Sequence, residues 1–257
     1  EKQKRQGVEL VIAVDVSNSM LSQDLKPDRM SRAKRVLNTL IDNLQNDKVA
    51  LMIFAGDAYV QMPLTTDVSS AKMFLSNINP GMVPVQGTAI GMAIKRSMQL
   101  FSNQDSGAGK SIIIITDGEN HEDDAVKMAE EAFKQGITVQ VMGVGTPEGA
   151  PIPIAGTQSF RKDRDGNVVV TKLNESMCKE IAAAGGGAYV RVDNTSAAVR
   201  ALSSELEKLS KSEIESQVYT QYNEQYIAIA WIVLALLVVE CLFLERKNPL
   251  FKNIKLF

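Results

Sequence analysis

Residues 8–19, VELVIAVDVSNS, decide the fold. Val8 to Val14 is a short, β-branched apolar run of the kind a strand covered on both faces requires. It passes directly into Asp15-Val16-Ser17-Asn18-Ser19, a turn with one carboxylate and two hydroxyls at alternate positions. Four more runs have the same character: Val49 to Ala55, Ile112 to Thr116, Ile137 to Val144 and Ala188 to Val192. Between them lie stripes with a 3.6-residue period. Met30, Ala33, Val36, Leu37, Leu40, Ile41 and Leu44 share one helical face, as do Ile90, Ala93, Ile94, Met98 and Phe101. Ala125, Met128, Ala129, Ala132 and Phe133 form a third stripe, and Ala198, Leu202, Leu206 and Leu209 a fourth. Strands alternating with helices predict an α/β fold, a doubly wound, mostly parallel sheet flanked by helices.

Composition narrows the function. The chain has 257 residues, 45% of them hydrophobic and 23% charged, with a formal net charge of -2. Its mean hydropathy is -0.05 and its pI about 5.6. No global basic field is available to hold a polyanion, so no nucleic-acid partner is expected. A single His (His121) and two Cys (Cys178 and Cys241) cannot supply the four ligands of a structural zinc site.

In an open α/β sheet, ligands bind beyond the carboxyl ends of the strands, which is where the Asp15 turn lies. Thr88, in Gln86-Gly87-Thr88 at the mouth of a helix, and Asp117, in Thr116-Asp117-Gly118 after the IIIIT strand, are two further oxygen donors in equivalent places. Asp15, Ser17, Ser19, Thr88 and Asp117 are all hard ligands. They select Mg²⁺, with Mn²⁺ or Ca²⁺ as alternatives, over softer metals. Two carboxylates and three neutral hydroxyls leave room for an incoming anion. Unit charges about 4 Å apart attract by about 4 kcal/mol at an effective dielectric of 20, so the set suits capture of an Asp or Glu from a protein partner. Taken alone, the Asp-x-Ser-x-Ser spacing also suits helix N-capping. A metal-dependent hydrolase using the same oxygens, or a scaffold with a purely structural metal, are the rival readings. No general base lies inside the three motifs, which favours a non-enzymatic module.

Other motifs are weaker. Gly107 to Ser111, GAGKS, mimics the end of a phosphate loop but lacks the preceding glycine and leads into a strand, so no nucleotide is expected. From about 146 to 172 an insertion reads as two strands around a turn at Asp165-Gly166. Asp57 reads as a turn residue, Cys178 as a half-buried helix residue, and Gly185 to Gly187 as a helix end entering a strand.

The C-terminal region breaks the average. Ile227 to Leu244, IAIAWIVLALLVVECLFL, contains one ionisable group, Glu240, and predicts a transmembrane helix over 226–244. The basic tail, 245–257, would then be cytoplasmic and the domain periplasmic, at a bacterial inner membrane. The predicted layout is an arm at 1–7, a domain at 8–210, a linker at 211–225, the span and the tail. EKQKRQG carries no export signal, so either a targeting or membrane segment preceded Glu1 or the orientation is the reverse.

The D-x-S-x-S of Asp15 to Ser19, with Thr88 and Asp117, resembles the metal-ion-dependent adhesion site of von Willebrand factor type A domains. Finer wording is similar to the membrane-anchored Bacteroides aerotolerance (Bat) proteins: DVSNSM with RMSRAK, FAGDAYVQMPLTTD, ITDGENHED, and the DGNVVVTKLNE hairpin. The resemblance implies a Mg²⁺-binding interaction module. Its implied partners are other Bat proteins, both von Willebrand type A and tetratricopeptide, and a MoxR-type AAA+ ATPase.

Overall fold

The computed structural model describes residues 7–44, 47–101, 108–119, 124–154, 156–192, 197–209 and 230–240. The five apolar runs become β1 (Glu9–Asp15), β2 (Lys48–Phe54), β4 (Lys110–Thr116), β5 (Ile137–Gly143) and β8 (Gly186–Arg191), and further strands are β3 (Ala58–Thr65) and the two-residue β6 (Ala150–Pro151) and β7 (Val170–Thr171). Six of them form one sheet in the order β3-β2-β1-β4-β5-β8. All neighbours are parallel except β2 and β3. The expected mostly parallel α/β sheet is therefore present, with one antiparallel edge.

The helices are α1 (Arg29–Asp42), α2 (Val68–Asn77), α3 (Ile90–Met98), α4 (Ala125–Lys134), α5 (Glu175–Ala184) and α6 (197–209). Alternation along β1 sends Leu10, Ile12 and Val14 into a core with α1, α2 and α6, and Val11 and Ala13 into a second core with α3, α4 and α5. Three of the four expected helical stripes are buried as drawn over most of their length. In the third, Ala125, Ala129 and Ala132 are buried but Phe133 is 52% exposed, lying at the periphery against Gly186.

β3 and α2 have no counterpart in the sequence reading. β3 is an edge strand that carries Pro63, mixes buried, half-buried and exposed residues without strict alternation, and is irregularly paired, so it lacks the continuous apolar run of an inner strand. α2 buries only Ala71 and Leu75, too narrow a stripe to show a period. The insertion differs from the expected two strands. It is a three-segment meander in which 159–162 pairs with both flanks, through Pro153 opposite Phe160 and Lys162 opposite Val168. Its turn is the expected one: Gly166 has φ +85, and Asp163 Oδ1 accepts from the amides of Asp165 (2.9 Å) and Asn167 (2.8 Å).

The expected membrane span does not stand. Of 226–244, the described part is a helix at 230–240, which at 1.5 Å per residue is roughly 16 Å long, against about 30 Å of hydrocarbon. Among the described residues no helix is long and apolar enough to cross a membrane. The described helix is too short for the crossing that the hydropathy of 227–244 predicts, and the inner-membrane placement, periplasmic domain and cytoplasmic tail derived from that crossing fall with it. Glu1–Lys211 and Ser212–Phe257 are separate compact units, and the helix belongs to the second. The linker, the tail and Cys241 lie outside the described residues.

One buried cation fastens the carboxyl edge of the sheet. Arg29, the first residue of α1, is fully buried. Its Nε and Nη2 donate to Asp24 Oδ1 (2.9 Å) and Oδ2 (2.7 Å). Its Nη1 donates to Asp117 Oδ2 (2.9 Å) and Thr171 Oγ1 (3.2 Å), and Nη2 also reaches the Thr171 carbonyl (3.1 Å). Asp24 accepts in addition from the Thr146 amide at 2.8 Å. Gly145, at φ +136, leaves the room this requires, since a Cβ there would lie 2.8 Å from Arg29 Nε.

Arg29→Met, which leaves Asp24 and Asp117 without their cation, is expected to cost about 3–5 kcal/mol in urea denaturation of the metal-free protein. Leu37→Ala, from the centre of the α1 stripe, is expected to cost about 2–5 kcal/mol by the same measurement, and Phe133→Ser less than about 1 kcal/mol.

Candidate metal centre

Asp15 is the last residue of β1, and its carboxylate is held from both sides. Oδ1 accepts from the Ser17 amide (2.9 Å) and Oδ2 from the hydroxyl of Thr116 (2.7 Å), the last residue of the adjoining β4. The chain then enters a 3-10 turn, Asn18–Leu21, for which Ser17 is the N-cap without a side-chain capping bond. That disposes of capping as the role of this hydroxyl. Ser17 Oγ instead meets Ser19 Oγ at 2.9 Å. Asp15, Ser17 and Ser19 are all buried.

Asp117 follows β4 on the next strand, at the point where the winding reverses between β1 and β4. Arg29 binds its Oδ2, the Glu119 amide donates to Oδ1 at 3.2 Å, and the Ser19 hydroxyl also bonds to the carboxylate. Gly118 is required here. It sits at φ +76, and a Cβ would lie 2.6 Å from Cys178 Sγ and 2.7 Å from the Asn174 carbonyl. Its amide donates to Thr116 Oγ1 at 3.0 Å, so one threonine hydroxyl links the two carboxylate loops.

Thr88 is buried in the loop just ahead of α3. That loop is fastened to its neighbours: the Ala89 amide donates to the Ala55 carbonyl (2.7 Å), and Gln86 Oε1 accepts from the Asn18 amide (3.0 Å). All three motifs thus reach the carboxyl edge of the sheet. Asp15, Ser17, Ser19 and Asp117 are joined by direct interactions, and Thr88 arrives through its loop. Asp57 has the turn role expected of it, accepting from the Ala58 amide at 2.7 Å. His121 lies outside the described residues.

Arg29, Gln86, Thr116 and Thr171 shape the site without having been singled out in the sequence. Thr116 could have been found as the hydroxyl at the strand end beside Asp117. Arg29 carries no local signal, because its partners are up to 142 residues away in the chain.

The electrostatics show an unmet charge. Burial, then the charge of Asp117, pushes the Asp15 carboxyl from 3.8 up to about 7, against the bonds from Ser17 and Thr116. Asp117 is also raised, chiefly by burial, although Ser19 and Arg29 pull it down. Burial pushes the Cys178 thiol up to about 12; it is fully buried, not half-buried, and stays an inert thiol. Among the described residues no group of three His, Cys, Asp or Glu assembles, so the donor set is two carboxylates plus hydroxyls. Two buried, poorly compensated carboxylates with neutral hydroxyls around them fit a small hard divalent cation.

Residues 10–119 match the von Willebrand factor type A domain family. Among solved structures, BatB from Bacteroides thetaiotaomicron is 56% identical, with a TM-score of 0.77, and is covered completely by 80% of this chain. An aerotolerance-related membrane protein from Bacteroides fragilis, solved with multiple mutations to serine, is 53% identical with a TM-score of 0.76, and 79% of this chain covers all of it. An uncharacterized protein of Borreliella burgdorferi is 26% identical over 196 residues, 73% of this chain and 54% of that one. The chain spans about half the length, or less, of the first curated relatives it matches. Together with the type A fold, the two Bacteroides matches show that the chain belongs to the Bat family of von Willebrand factor type A domain proteins.

Proposed function

We propose that the domain binds a divalent cation, Mg²⁺ first, on Asp15, Ser17, Ser19, Thr88 and Asp117, and docks an acidic residue of a protein partner there. The observation that carries this reading is the state of Asp15. It is a fully buried carboxylate, raised to about 7, whose hydrogen-bond donors are an amide and a hydroxyl. Such a site is costly unless a positive charge is supplied. A bound hard cation supplies that charge, together with a coordination position that a carboxylate can fill.

The protein's own residues set the balance. Arg29 holds Asp117 from behind and takes up part of its charge, so the oxygens do not fully neutralise a divalent ion and an anionic side chain remains attractive to it. Both carboxylates are committed, Asp15 to Ser17 and Thr116, and Asp117 to Arg29 and Glu119. Both would be taken up by the cation, which supports docking over hydrolysis. We assign the partners to the family's own circle: other Bat proteins, of the type A and tetratricopeptide kinds, and a MoxR-type AAA+ ATPase, in a process linked to aerotolerance.

Saturating Mg²⁺ is expected to raise the melting temperature of the wild-type chain, by about 2.7 kcal/mol of added stability at a hundredfold excess over Kd. Asp15→Ala is expected to abolish both that shift and partner capture while the domain stays folded by circular dichroism. Capture unaffected by Asp15→Ala or by chelator overturns the reading; a chelator that lowers the melting temperature but leaves capture intact identifies a structural metal instead.

The pH dependence has a definite sign. Asp15 ionises near 3.8 when unfolded and near 7 in the metal-free fold, so between those values the native state holds the extra proton. Its contribution to metal-free stability therefore falls as pH rises from about 4 to about 7. Asp15→Asn is expected to remove that fall and to be more stable than wild type at pH 8 without metal, measured as urea midpoints. Mg²⁺ affinity, titrated calorimetrically, is expected to rise with pH through about 7 and then level off.

A further inference from the structure

A groove of about 450 Å³ runs beside the candidate metal centre, lined by Asn18, Leu21, Pro153, Ile154, Arg161 and Lys162. One wall is the metal turn itself, since Asn18 lies between Ser17 and Ser19, and the other is the insertion. We propose that this groove is a second subsite for the partner. The docked segment would then carry one acidic residue for the metal and, beyond a short apolar spacer, a second acidic residue for Arg161 and Lys162. The proposal rests on the metal-docking reading above and adds to it the identity of the partner's sequence.

Charge complementarity is the first argument. Arg161 and Lys162 are exposed, and neither forms an ion pair among the described residues. The neighbouring Asp163 does not pair with them, because its carboxylate is turned onto its own turn, accepting from the Asp165 and Asn167 amides and from Asn167 Nδ2 (3.3 Å), although its charge remains. Arg164 adds a further cation and Asp165 a second carboxylate, so the three cations and two carboxylates of 161–165 leave the segment one positive charge in excess. In a chain of net charge -2, this is a local basic face set against the one place where a bound cation would also sit.

The second argument is the apolar floor. Leu21 and Ile154, the latter 41% exposed, line the groove together with the metal-turn residue Asn18 and the two cations, and Phe160 on the same insertion is 43% exposed. The insertion's short pairings leave these side chains uncovered, as an interaction surface does. The third is rigidity. Thr171 is bonded to Arg29 through both its carbonyl and its hydroxyl, and the Lys172 amide donates to Glu119 Oε1 at 3.0 Å. The C-terminal end of the insertion is therefore fastened beside Asp117, and a pre-organised pair of subsites loses less on binding than two independent ones.

The test is selection of a displayed random-peptide library on the full chain in Mg²⁺, with elution by chelator, using wild type, Asp15→Ala and the double variant Arg161→Glu/Lys162→Glu. Wild type is expected to enrich peptides with two acidic residues flanking an apolar one, and Asp15→Ala to enrich nothing that chelator releases. The double variant is expected to keep its Mg²⁺-induced thermal shift, to bind the wild-type peptides about tenfold more weakly, and to lose the second acidic preference. A wild-type pool with a single acidic residue, or unchanged peptide affinity in the double variant, overturns the second subsite while leaving metal docking intact. The absence of any chelator-released pool on wild type overturns metal docking itself, and the subsite with it.

Discussion

The buried guanidinium of Arg29 is the constraint on which the edge of this sheet depends. It gathers the Asp24 loop, the Asp117 loop and the insertion strand that carries Thr171, segments that are remote in sequence. A buried ionic cluster of this kind is seldom the most stable filling for its space, and apolar residues of similar volume often do as well or better. Its value lies in placement. With Arg29 present, Asp117 is held in one orientation beside Ser19, and the insertion is fixed next to the metal turn. Asp24, Arg29 and Asp117 together carry one net negative charge, and Asp15 adds another when ionised, a total that a bound divalent cation would balance.

Much of this was legible in the sequence because it is local. Val8 to Val14 announces a strand through continuous burial, and Asp15 to Ser19 places its oxygens by turn geometry within five residues. The inner strands and the α1 and α3 stripes follow from the same rules of period and burial. What was not legible depends on long-range contact. Arg29 reads as one basic residue at the start of an amphipathic helix, and only the fold reveals that it is buried and points to Asp117. β3 was hidden because an edge strand with Pro63 has neither strict alternation nor a continuous apolar run. The meander in the insertion was read as a simpler hairpin because segments of two to four residues carry too little pattern.

Hydropathy over 227–244 gave a strong signal that the described helix at 230–240 does not fulfil. Composition registers how apolar a stretch is, whereas a crossing also demands a helix of about 20 residues, longer than the described one. The reading of function does not depend on that segment. It rests on the Glu1–Lys211 unit, where the two halves of the proposed partner site, the carboxylate cluster and the basic groove, are joined through the Arg29 and Thr171 contacts.

The central claim is that Asp15, Ser17, Ser19, Thr88 and Asp117 hold one divalent cation. Anomalous diffraction from crystals of the protein grown with Mn²⁺, collected at the manganese edge, tests it most directly. A single strong anomalous peak enclosed by these five oxygen donors is expected, absent in Asp15→Ala crystals grown in the same way. No peak at that position in the wild-type protein, or one that persists in the Asp15→Ala variant, would contradict it.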